Sequence, residues 1–435
     1  MRISGISTDT RTLTKGCLFV ALKGKNFDGN NFIGEALNSG AVAAITSRRH
    51  KGAPPRGIVI RVRDTLKVLG DLAAAWRARF PVKVVCITGS NGKTTTKEMT
   101  AAVLSEKFSV LSTEGNLNNL IGVPQMLFRL DSRHEVAVIE LGTSRFGEID
   151  RLSEITSPDV GLITNIGAAH LEYFKNLNGV LKEKSGLARH LTNKTLIYNG
   201  DDALLRRGLK GFKGRLVSFG FSSGCDVRCT YAEEIGKGKM QFLVKAGKVS
   251  SRFCIGISGQ HNIYNALGAI TLGMFFGLSF RDIDNGLRKF SPAKNRWETI
   301  KINPGAELIN DSYNANPSSM DTGLREINRL RAKRRIAILG DMLELGSSAC
   351  RLHKKIGRLL AELEIDRLIT IGTLGKFIAE GALNAGMDKT AVSIAGSIEN
   401  AADILKKTIR RGDLVYVKGS RAVQMERIID LLEKE

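Results

Sequence analysis

The chain has 435 residues, 43% hydrophobic and 25% charged, so it is long enough for two or three globular domains and too apolar to be disordered. Its formal net charge of +22 excludes an acidic protein and favours anionic partners such as nucleotide-linked substrates, nucleic acid or acidic membranes, although a basic bias of the whole proteome would give the same surplus. No run approaches the roughly 18 apolar residues of a spanning helix, and residues 1–10 lack the apolar core of a signal peptide, so we expect a cytoplasmic protein without integral membrane association.

The six cysteines are scattered and do not have the spacing of a disulfide framework. Cys225 and Cys229 could begin a metal site, but no second pair of Cys or His follows at ligand spacing. We therefore expect reduced thiols.

A small domain is predicted for residues 1–80. Strand-like runs lie at 17–22 and 41–45, and a turn-rich surface loop is predicted for 51–57. A helical stretch from about Thr65 to Phe80 ends before Pro81, which disfavours helix at the preceding residue. The first domain boundary is therefore placed after residue 80.

From Val82 onward the pattern changes to buried-type strands that alternate with helices. In the second section the strands are at 83–88, 136–141, 160–165 and 195–199, and a helix is predicted for 263–277. In the third section, which begins near Trp297, they are at 335–340, 367–372 and 413–418. Apolar strands separated by helices predict parallel sheets. The fold class is thus α/β in three domains: 1–80, a central P-loop domain 81–295, and a Rossmann-like domain 296–435.

The strongest chemical signal is the segment Thr88-Gly-Ser-Asn-Gly-Lys-Thr-Thr-Thr96, which follows a strand and opens a helix. Backbone N–H groups and the helix N-terminus in this context cradle phosphates. The predicted ATP-binding residues are Gly89, Ser90, Asn91, Gly92, Lys93, Thr94 and Thr95. Lys93 would reach the β- and γ-phosphates, and Thr94 would bind Mg²⁺. The loop is a compact variant, because Ile87 stands where the general pattern has glycine.

Two residues at strand ends are candidates for the metal. Glu140 ends a predicted strand and should lie at the carboxyl edge of the sheet beside the loop, where a hard oxygen ligand suits Mg²⁺. His170 follows the next strand, but a lone histidine is more often structural than a ligand.

Three segments resemble the Mur ligase family: the phosphate loop, Asn165-Ile-Gly-Ala-Ala-His-Leu-Glu172 and Gly259-Gln-His-Asn-Ile-Tyr-Asn-Ala-Leu267. Within the family, the segments 115–124, 310–317 and 339–346 are similar to the members that add D-alanyl-D-alanine. The Asp-Asn-Pro-Arg motif expected of the diaminopimelate-adding members is absent. The resemblance covers essentially the whole chain. It implies a ligase that uses ATP and Mg²⁺ to join D-alanyl-D-alanine to UDP-N-acetylmuramoyl-tripeptide in bacterial cell-wall synthesis.

The resemblance also implies roles for individual residues. Asn262 and Asn265 would contact the adenine side of ATP, Arg296 the phosphates and Asp311 the ribose, while Glu140 and His170 become metal ligands. The uridine diphosphate would be held by Ser7, Asp9, Thr10, Arg11, Asp28 and Gly29, and the sugar-peptide by Asn116, Asn118 and Asn119. The dipeptide side would be Tyr313, Asn314, Asn316, Ser420 and Arg421.

Lys184 matches a lysine that is carbamylated in several members of the family, where the carbamate oxygen helps to bind Mg²⁺. Carbamylation needs a neutral amine and therefore a lowered pKa. The local sequence Lys182-Glu-Lys-Ser-Gly186 departs from the usual pattern, and its two lysines leave the alternative of a plain surface lysine open.

Two alternatives remain. One is another ligase of the same family, adding diaminopimelate or lysine. The other is a nucleic-acid-binding ATPase, which the net charge would suit, but no recognition helix or aromatic RNA-binding motif is visible. We expect a monomer that does not bind nucleic acid.

Overall fold

The computed structural model describes residues 3–24, 26–49, 57–236 and 238–433. Of the turn-rich loop predicted for 51–57, all but Gly57 lies outside the described residues. None of the helices in the described part of the chain combines the length and the apolar character needed to cross a membrane. All six cysteines are free thiols.

The first sheet is small and wholly parallel, with the strand order β1-β2-β3-β4. Its strands are β1 (Ile6–Ser7), β2 (Leu18–Val20), β3 (Ala43–Thr46) and β4 (Ile58–Arg61), with the helices α1 (Ile33–Asn38) and α2 (Thr65–Arg77). Helix α2 joins two cores, because Leu69 packs against the first sheet while Ala73 belongs to the apolar core of the central sheet. The helix predicted to end the first domain is therefore shared with the next one.

The central sheet has nine strands in the order β13-β12-β11-β10-β9-β8-β5-β7-β6. Its strands are β5 (Lys83–Thr88), β6 (Val110–Ser112), β7 (Val136–Glu140), β8 (Val160–Ile163), β9 (Thr195–Asn199), β10 (Arg215–Gly220), β11 (Val227–Glu234), β12 (Met240–Ala246) and β13 (Val249–Ile255). Its helices are α3 (Lys93–Leu104), α4 (Gly122–Leu127), α5 (Glu148–Thr156), α6 (Leu171–Phe174), α7 (Leu177–Lys184), α8 (Ala203–Gly208), α9 (Gln260–Phe275) and α10 (Phe280–Lys289).

The parallel part of this sheet confirms the strands predicted at 83–88, 136–141, 160–165 and 195–199. The antiparallel edge formed by β11, β12 and β13 was not predicted. In β12 the buried residues Phe242 and Val244 alternate with partly exposed ones, whereas the prediction relied on continuous apolar runs. The predicted helix 263–277 starts earlier, at Gln260, directly after Gly259 with φ +99°.

The third sheet has the strand order β14-β15-β19-β16-β17-β18. Its strands are β14 (Glu298–Ile302), β15 (Ala306–Asn310), β16 (Arg334–Leu339), β17 (Arg367–Ile371), β18 (Val392–Ala395) and β19 (Asp413–Lys418), and its helices are α11 (Pro317–Arg329), α12 (Ala349–Glu362), α13 (Gly375–Asn384), α14 (Ile398–Thr408) and α15 (Arg427–Glu433). Only the β14–β15 hairpin is antiparallel. The predicted α/β fold with three sheets is confirmed.

The central and third sheets share one apolar core. Ile257 and Ile263 of the central domain belong to the same cluster of buried side chains as Trp297, Met320 and Met342. Residues at or just after the carboxyl ends of β5, β7 and β8 line one cavity together with Arg296 and Trp297, the first residues of the third domain. The strand ends at this junction form the candidate site.

Candidate active site

A cavity of about 910 Å³ lies between the central and third domains. The predicted residues that line it are Ser90, Asn91, Gly92, Lys93, Thr94, Thr95, Asn116, Asn118, Asn119, Glu140, His170, Asn262, Asn265, Arg296, Asp311, Tyr313, Asn314 and Asn316. Gly89, Lys184, Ser420 and Arg421 lie outside its lining, as do the residues predicted to hold uridine diphosphate. A single cavity therefore contacts the predicted nucleotide, sugar-peptide and dipeptide residues of two domains.

The phosphate loop is closely packed because two glycines let other segments of the chain approach its backbone. A Cβ on Gly89 would come 1.8 Å from Thr164 Oγ1, and one on Gly92, which has φ +78°, would come 2.2 Å from Asn265 Oδ1. The segment after β8 braces the loop: Asn91 N donates to Asn165 Oδ1 at 3.0 Å, and Ser90 Oγ donates to the carbonyl of residue 167 at 3.1 Å. These contacts fix the shape of the loop that is predicted to bind phosphate.

Gly92→Ala is expected to abolish nucleotide binding. The added methyl group would force Asn265 or the loop to move, which would misalign the N–H groups at the start of α3. The matched control is Gly277→Ala, which also has a positive φ (+71°) but has no atom within 4 Å of the added Cβ. Both variants should lose roughly 1 kcal/mol of stability from the backbone strain. Calorimetric titration with ADP should show binding by the control and none by Gly92→Ala; equal affinities would contradict the loop assignment.

Lys93 folds back over the loop, with Nζ donating to the carbonyls of Gly89 at 2.8 Å and Ser90 at 3.2 Å. Burial lowers the pKa of Lys93, Arg296 adds to that shift, and Glu140 opposes it. A lysine that is held by two carbonyls, with a cation and an anion nearby, is placed to exchange these contacts for phosphate oxygens.

Glu140 ends β7 and is buried, with one carboxylate oxygen satisfied and the other not. Oε1 accepts a hydrogen bond from Asn118 Nδ2 at 2.8 Å, while Oε2 has no partner among the described residues. Thr94 is buried beside it in the lining of the same cavity. An orphaned carboxylate oxygen next to a phosphate loop fits a hard cation such as Mg²⁺. Asn118 orients Glu140, a contact that the sequence did not indicate.

The structure distinguishes between the two lysines of α7. Lys182 is exposed, whereas Lys184 is 2% exposed. Burial lowers the pKa of Lys184 well below its usual value, Lys93 lowers it further, and Glu183 and Glu140 act in the opposite direction. The Glu183 carboxylate points to the start of α5, where it accepts hydrogen bonds from Gly147 N at 2.7 Å and Ile149 N at 2.8 Å. The lowered pKa favours the neutral amine that carbamylation requires, and the carbamylation of Lys184 stays a prediction.

His170 of the central domain contacts the third domain. Its Nδ1 lies 2.5 Å from Glu344 Oε2, and its ring packs edge-on against Phe174. The described residues contain no group of three His, Cys, Asp or Glu side chains that could hold a metal ion. The metal-ligand role of His170 stays a prediction.

The asparagines at the start of α9 are linked in a chain. Asn262 Nδ2 donates to the carbonyl of Ser258 at 2.7 Å, and Asn262 Oδ1 accepts from Asn265 Nδ2 at 3.1 Å. Asn265 Oδ1 accepts from Thr96 Oγ1 at 3.2 Å. Asn265 thus joins α9 to the phosphate loop and its helix, and its predicted contact with adenine remains a prediction.

Arg296 reaches the cavity from a strained junction between the two domains. Its neighbours Asn295 and Trp297 both have positive φ, +63° and +53°, which is uncommon for asparagine and rare for a bulky side chain. Trp297 is anchored by Nε1, which donates to Ser258 Oγ at 3.0 Å. The Arg296 guanidinium lies 3.9 Å from the ring centroid of Tyr313. Such strain is maintained where the surrounding structure fixes a functional geometry.

Asp311 is part of a buried polar cluster that the sequence did not reveal. Its Oδ2 accepts from Tyr416 hydroxyl at 3.0 Å and is ion-paired with Lys418 Nζ. Burial lowers the pKa of the nearby His261 to about 4, so this ring is neutral at pH 7. Lys418 and His261 line the cavity. The sequence offered only weak signals for them: Lys418 ends a strand, and His261 directly precedes Asn262.

The residues predicted for the dipeptide form hydrogen bonds and an ion pair with neighbouring segments of the chain. Asn316 caps α11 and also donates through Nδ2 to Asn91 Oδ1 of the phosphate loop at 2.8 Å. Ser420 Oγ accepts from Leu343 N at 2.9 Å. Arg421 is ion-paired with Glu426 at 2.7 Å. Asn314 Oδ1 accepts from Ala315 N at 2.9 Å and from the backbone of 421 at 3.4 Å.

The remaining substrate candidates belong to separate turns. Asp9 caps the turn Thr10–Thr12, and its ion pair with Arg11 (2.6 Å) holds the pKa of Asp9 down at about 2. Ser7 Oγ donates to the carbonyl of residue 9 at 2.8 Å.

Asp28 is ion-paired with Arg48, and a Cβ on Gly29 would come 2.8 Å from a backbone carbonyl. Asn119 Oδ1 accepts from Gly122 N at 2.9 Å at the start of α4. Thr8 joins this surface to the central domain by accepting from Gln125 Nε2 at 3.2 Å.

The chain matches three family descriptions along its length: "Mur ligase family, catalytic domain" at residues 2–77, "Mur ligase middle domain" at 87–273, and "Mur ligase, glutamate ligase domain" at 295–421. It is 37% identical to the UDP-N-acetylmuramoyl-tripeptide--D-alanyl-D-alanine ligase of Bacillus subtilis (strain 168), covering 99% of this chain and 93% of that protein. The corresponding ligase of Escherichia coli (strain K12) is 36% identical over 99% of this chain and 94% of its own length.

Solved structures agree with these relatives. A crystal structure of MurF from Acinetobacter baumannii has a TM-score of 0.90 at 35% identity, covering 99% of this chain and 93% of that one. MurF ligase from Thermotoga maritima in complex with ADP has a TM-score of 0.88 at 28% identity, covering 99% and 97%. Each of these matches covers 99% of this chain and therefore includes all three sheets. The chain belongs to the Mur ligase family.

Proposed function

We propose that the protein uses ATP to ligate D-alanyl-D-alanine to UDP-N-acetylmuramoyl-tripeptide, giving ADP, phosphate and the pentapeptide precursor of peptidoglycan. The observation that carries the proposal is the similarity over 99% of the chain to ligases of that name. As a supplier of cell-wall precursor, the protein would serve cell shape and cell division from the cytoplasm.

The chemistry would proceed through an acyl phosphate. The terminal carboxylate of the tripeptide accepts the γ-phosphoryl group of ATP, the amine of the dipeptide attacks the resulting acyl carbon, and phosphate leaves. Lys93 stabilises the charge of the transferred group, and Arg296 does so from the third-domain side of the cavity. The protein's contribution is to position the reactants and to exclude water from a site between two domains.

The residues at the loop fit a bound Mg²⁺, for which Glu140 and Thr94 would be ligands, joined by His170 and a carbamylated Lys184. The ion would supply charge neutralisation at the phosphates. Asn118 holds one oxygen of Glu140 and leaves the other unpartnered, which is the orientation a ligand needs.

The test is a phosphate-release assay with purified protein. Tripeptides with lysine and with diaminopimelate at the third position are each offered D-alanyl-D-alanine, D-alanine, lysine or diaminopimelate. We expect release only with the dipeptide; release driven by a single amino acid would favour another ligase of the family. ATP hydrolysis stimulated by DNA or RNA instead of by the dipeptide would favour the nucleic-acid alternative.

Arg11→Ala is expected to raise the KM for the UDP-linked tripeptide about tenfold, because a charge-assisted hydrogen bond to a diphosphate is lost. The KM for ATP should not change. The matched control is Arg133→Ala. Arg133 forms an ion pair at 2.6 Å with Asp131, two residues before it, just as Arg11 does with Asp9. The two arginine side chains are also similarly exposed. If both variants changed the KM equally, the uridine diphosphate site would have to lie elsewhere.

A further inference from the structure

The geometry points to Glu344 as a positioning residue: from the third domain, its carboxylate holds the ring of His170 in the central domain, so that the active-site geometry depends on the contact between the two domains. This inference rests on the proposed function and deepens it. Glu344 lies in the loop between β16 and α12, which the sequence singled out only as part of the segment 339–346.

The loop that carries Glu344 contacts the central domain through both its side chain and its backbone. Glu344 Oε2 lies 2.5 Å from His170 Nδ1, and the backbone carbonyl of Glu344 accepts from Glu172 N at 3.0 Å. Next to it, the chain passes so closely that a Cβ on Gly346 would lie 3.2 Å from Glu172 Cα. The contacts are therefore concentrated on residues 170–172, at the start of α6.

Both residues of this contact have strained backbones. His170 has φ +53° and Glu344 has φ +60°, although neither is glycine. Such conformations cost free energy and persist only where neighbouring contacts determine them. On the Glu344 side those contacts are visible: Leu345 is buried, Met342 N donates to His353 Nε2 at 2.9 Å, and Leu343 N donates to Ser420 Oγ at 2.9 Å. Ser420, predicted for the dipeptide, here fixes the loop that carries Glu344.

The contact with Glu344 fixes one nitrogen of His170 as a hydrogen-bond donor. A carboxylate can only accept, so Nδ1 donates to Glu344. The ring is also restrained by Phe174, whose centroid is 6.2 Å away at an interplanar angle of 80°. Since His170 lines the cavity, the contacts with Glu344 and Phe174 present a ring of defined orientation to the reactants. Without the third domain in place, this orientation would be lost.

The rate test compares Glu344→Ala with Glu380→Ala. The two carboxylates are 45% and 44% exposed and each contacts one nitrogen-bearing side chain, but Glu380 pairs with Lys354 inside the third domain. We expect Glu344→Ala to lower kcat roughly tenfold or more while the KM values for ATP and UDP-tripeptide stay within about twofold, because one charge-assisted hydrogen bond at the site is lost. Glu344→Gln, whose amide oxygen can still accept from Nδ1, should recover part of the loss. A kcat equal to that of Glu380→Ala, or no recovery with glutamine, would overturn the proposal.

A second readout does not depend on the reaction. In small-angle scattering with ADP bound, the wild type and Glu380→Ala should have the same radius of gyration, and Glu344→Ala should have a larger one. Equal radii for all three proteins would remove the interdomain part of the inference. If the wild type failed to ligate D-alanyl-D-alanine, the proposed function would be wrong, and the scattering comparison would still decide the role of Glu344.

Discussion

Lys93→Ala is expected to abolish ligation, with a loss of about a thousandfold or more, while the fold remains intact. Removing one preorganised charge-stabilising donor from an active site typically costs ~10²–10³ in kcat, and here the donor is also the cation at the transferred phosphate. The fold should survive because the hydrogen bonds of Lys93 Nζ within the described part of the chain go to two carbonyls of the loop itself, at 2.8 and 3.2 Å. The measurement is phosphate release together with the thermal unfolding temperature.

The control for this variant is Lys107→Ala, which removes an exposed lysine just beyond the other end of α3. Its turnover should match that of the wild type. If a folded Lys93→Ala protein turned over within a few fold of Lys107→Ala, the phosphate-loop mechanism would have to be abandoned.

Lys184→Ala should lower ligation about a hundredfold, because a carbamate oxygen that binds Mg²⁺ would be lost. The reaction is Lys–NH₂ + CO₂ → Lys–NH–COO⁻ + H⁺, and only the neutral amine reacts. Burial and the charge of Lys93 lower the pKa of Lys184, so the neutral amine is present at a lower pH than for an ordinary lysine. Activity should therefore increase with added bicarbonate, and should decline as pH falls and the amine becomes protonated.

The direct measurement is carbon-13 NMR of protein incubated with labelled bicarbonate. A carbamate signal is expected in the wild type and in Lys182→Arg, which changes the exposed lysine two residues away. The signal should be absent from Lys184→Arg, since a guanidinium stays protonated. If the signal persisted in Lys184→Arg, or disappeared in Lys182→Arg, the prediction that Lys184 is the carbamylated residue would be wrong.

Local sequence was sufficient to place the elements that carry the phosphate chemistry. The strand at 83–88, the two glycines and Lys93 form a contiguous unit whose shape follows from short-range sterics, and Glu140 could be placed because parallel strands end at one edge of a sheet. The edge strands β11 to β13 could not be predicted in the same way, since each contains exposed or partly exposed residues and none is a continuous apolar run over its whole length.

The sequence by itself determined that the chain is a three-domain α/β protein with a phosphate loop and a family resemblance. Those properties depend on local periodicity and on motifs of adjacent residues. Only the tertiary structure decided which of Lys182 and Lys184 is buried, that Asn118 orients Glu140, and that Glu344 contacts His170. Burial, pKa and the contact between residues 174 positions apart depend on how whole domains pack, and no local pattern in the chain encodes them.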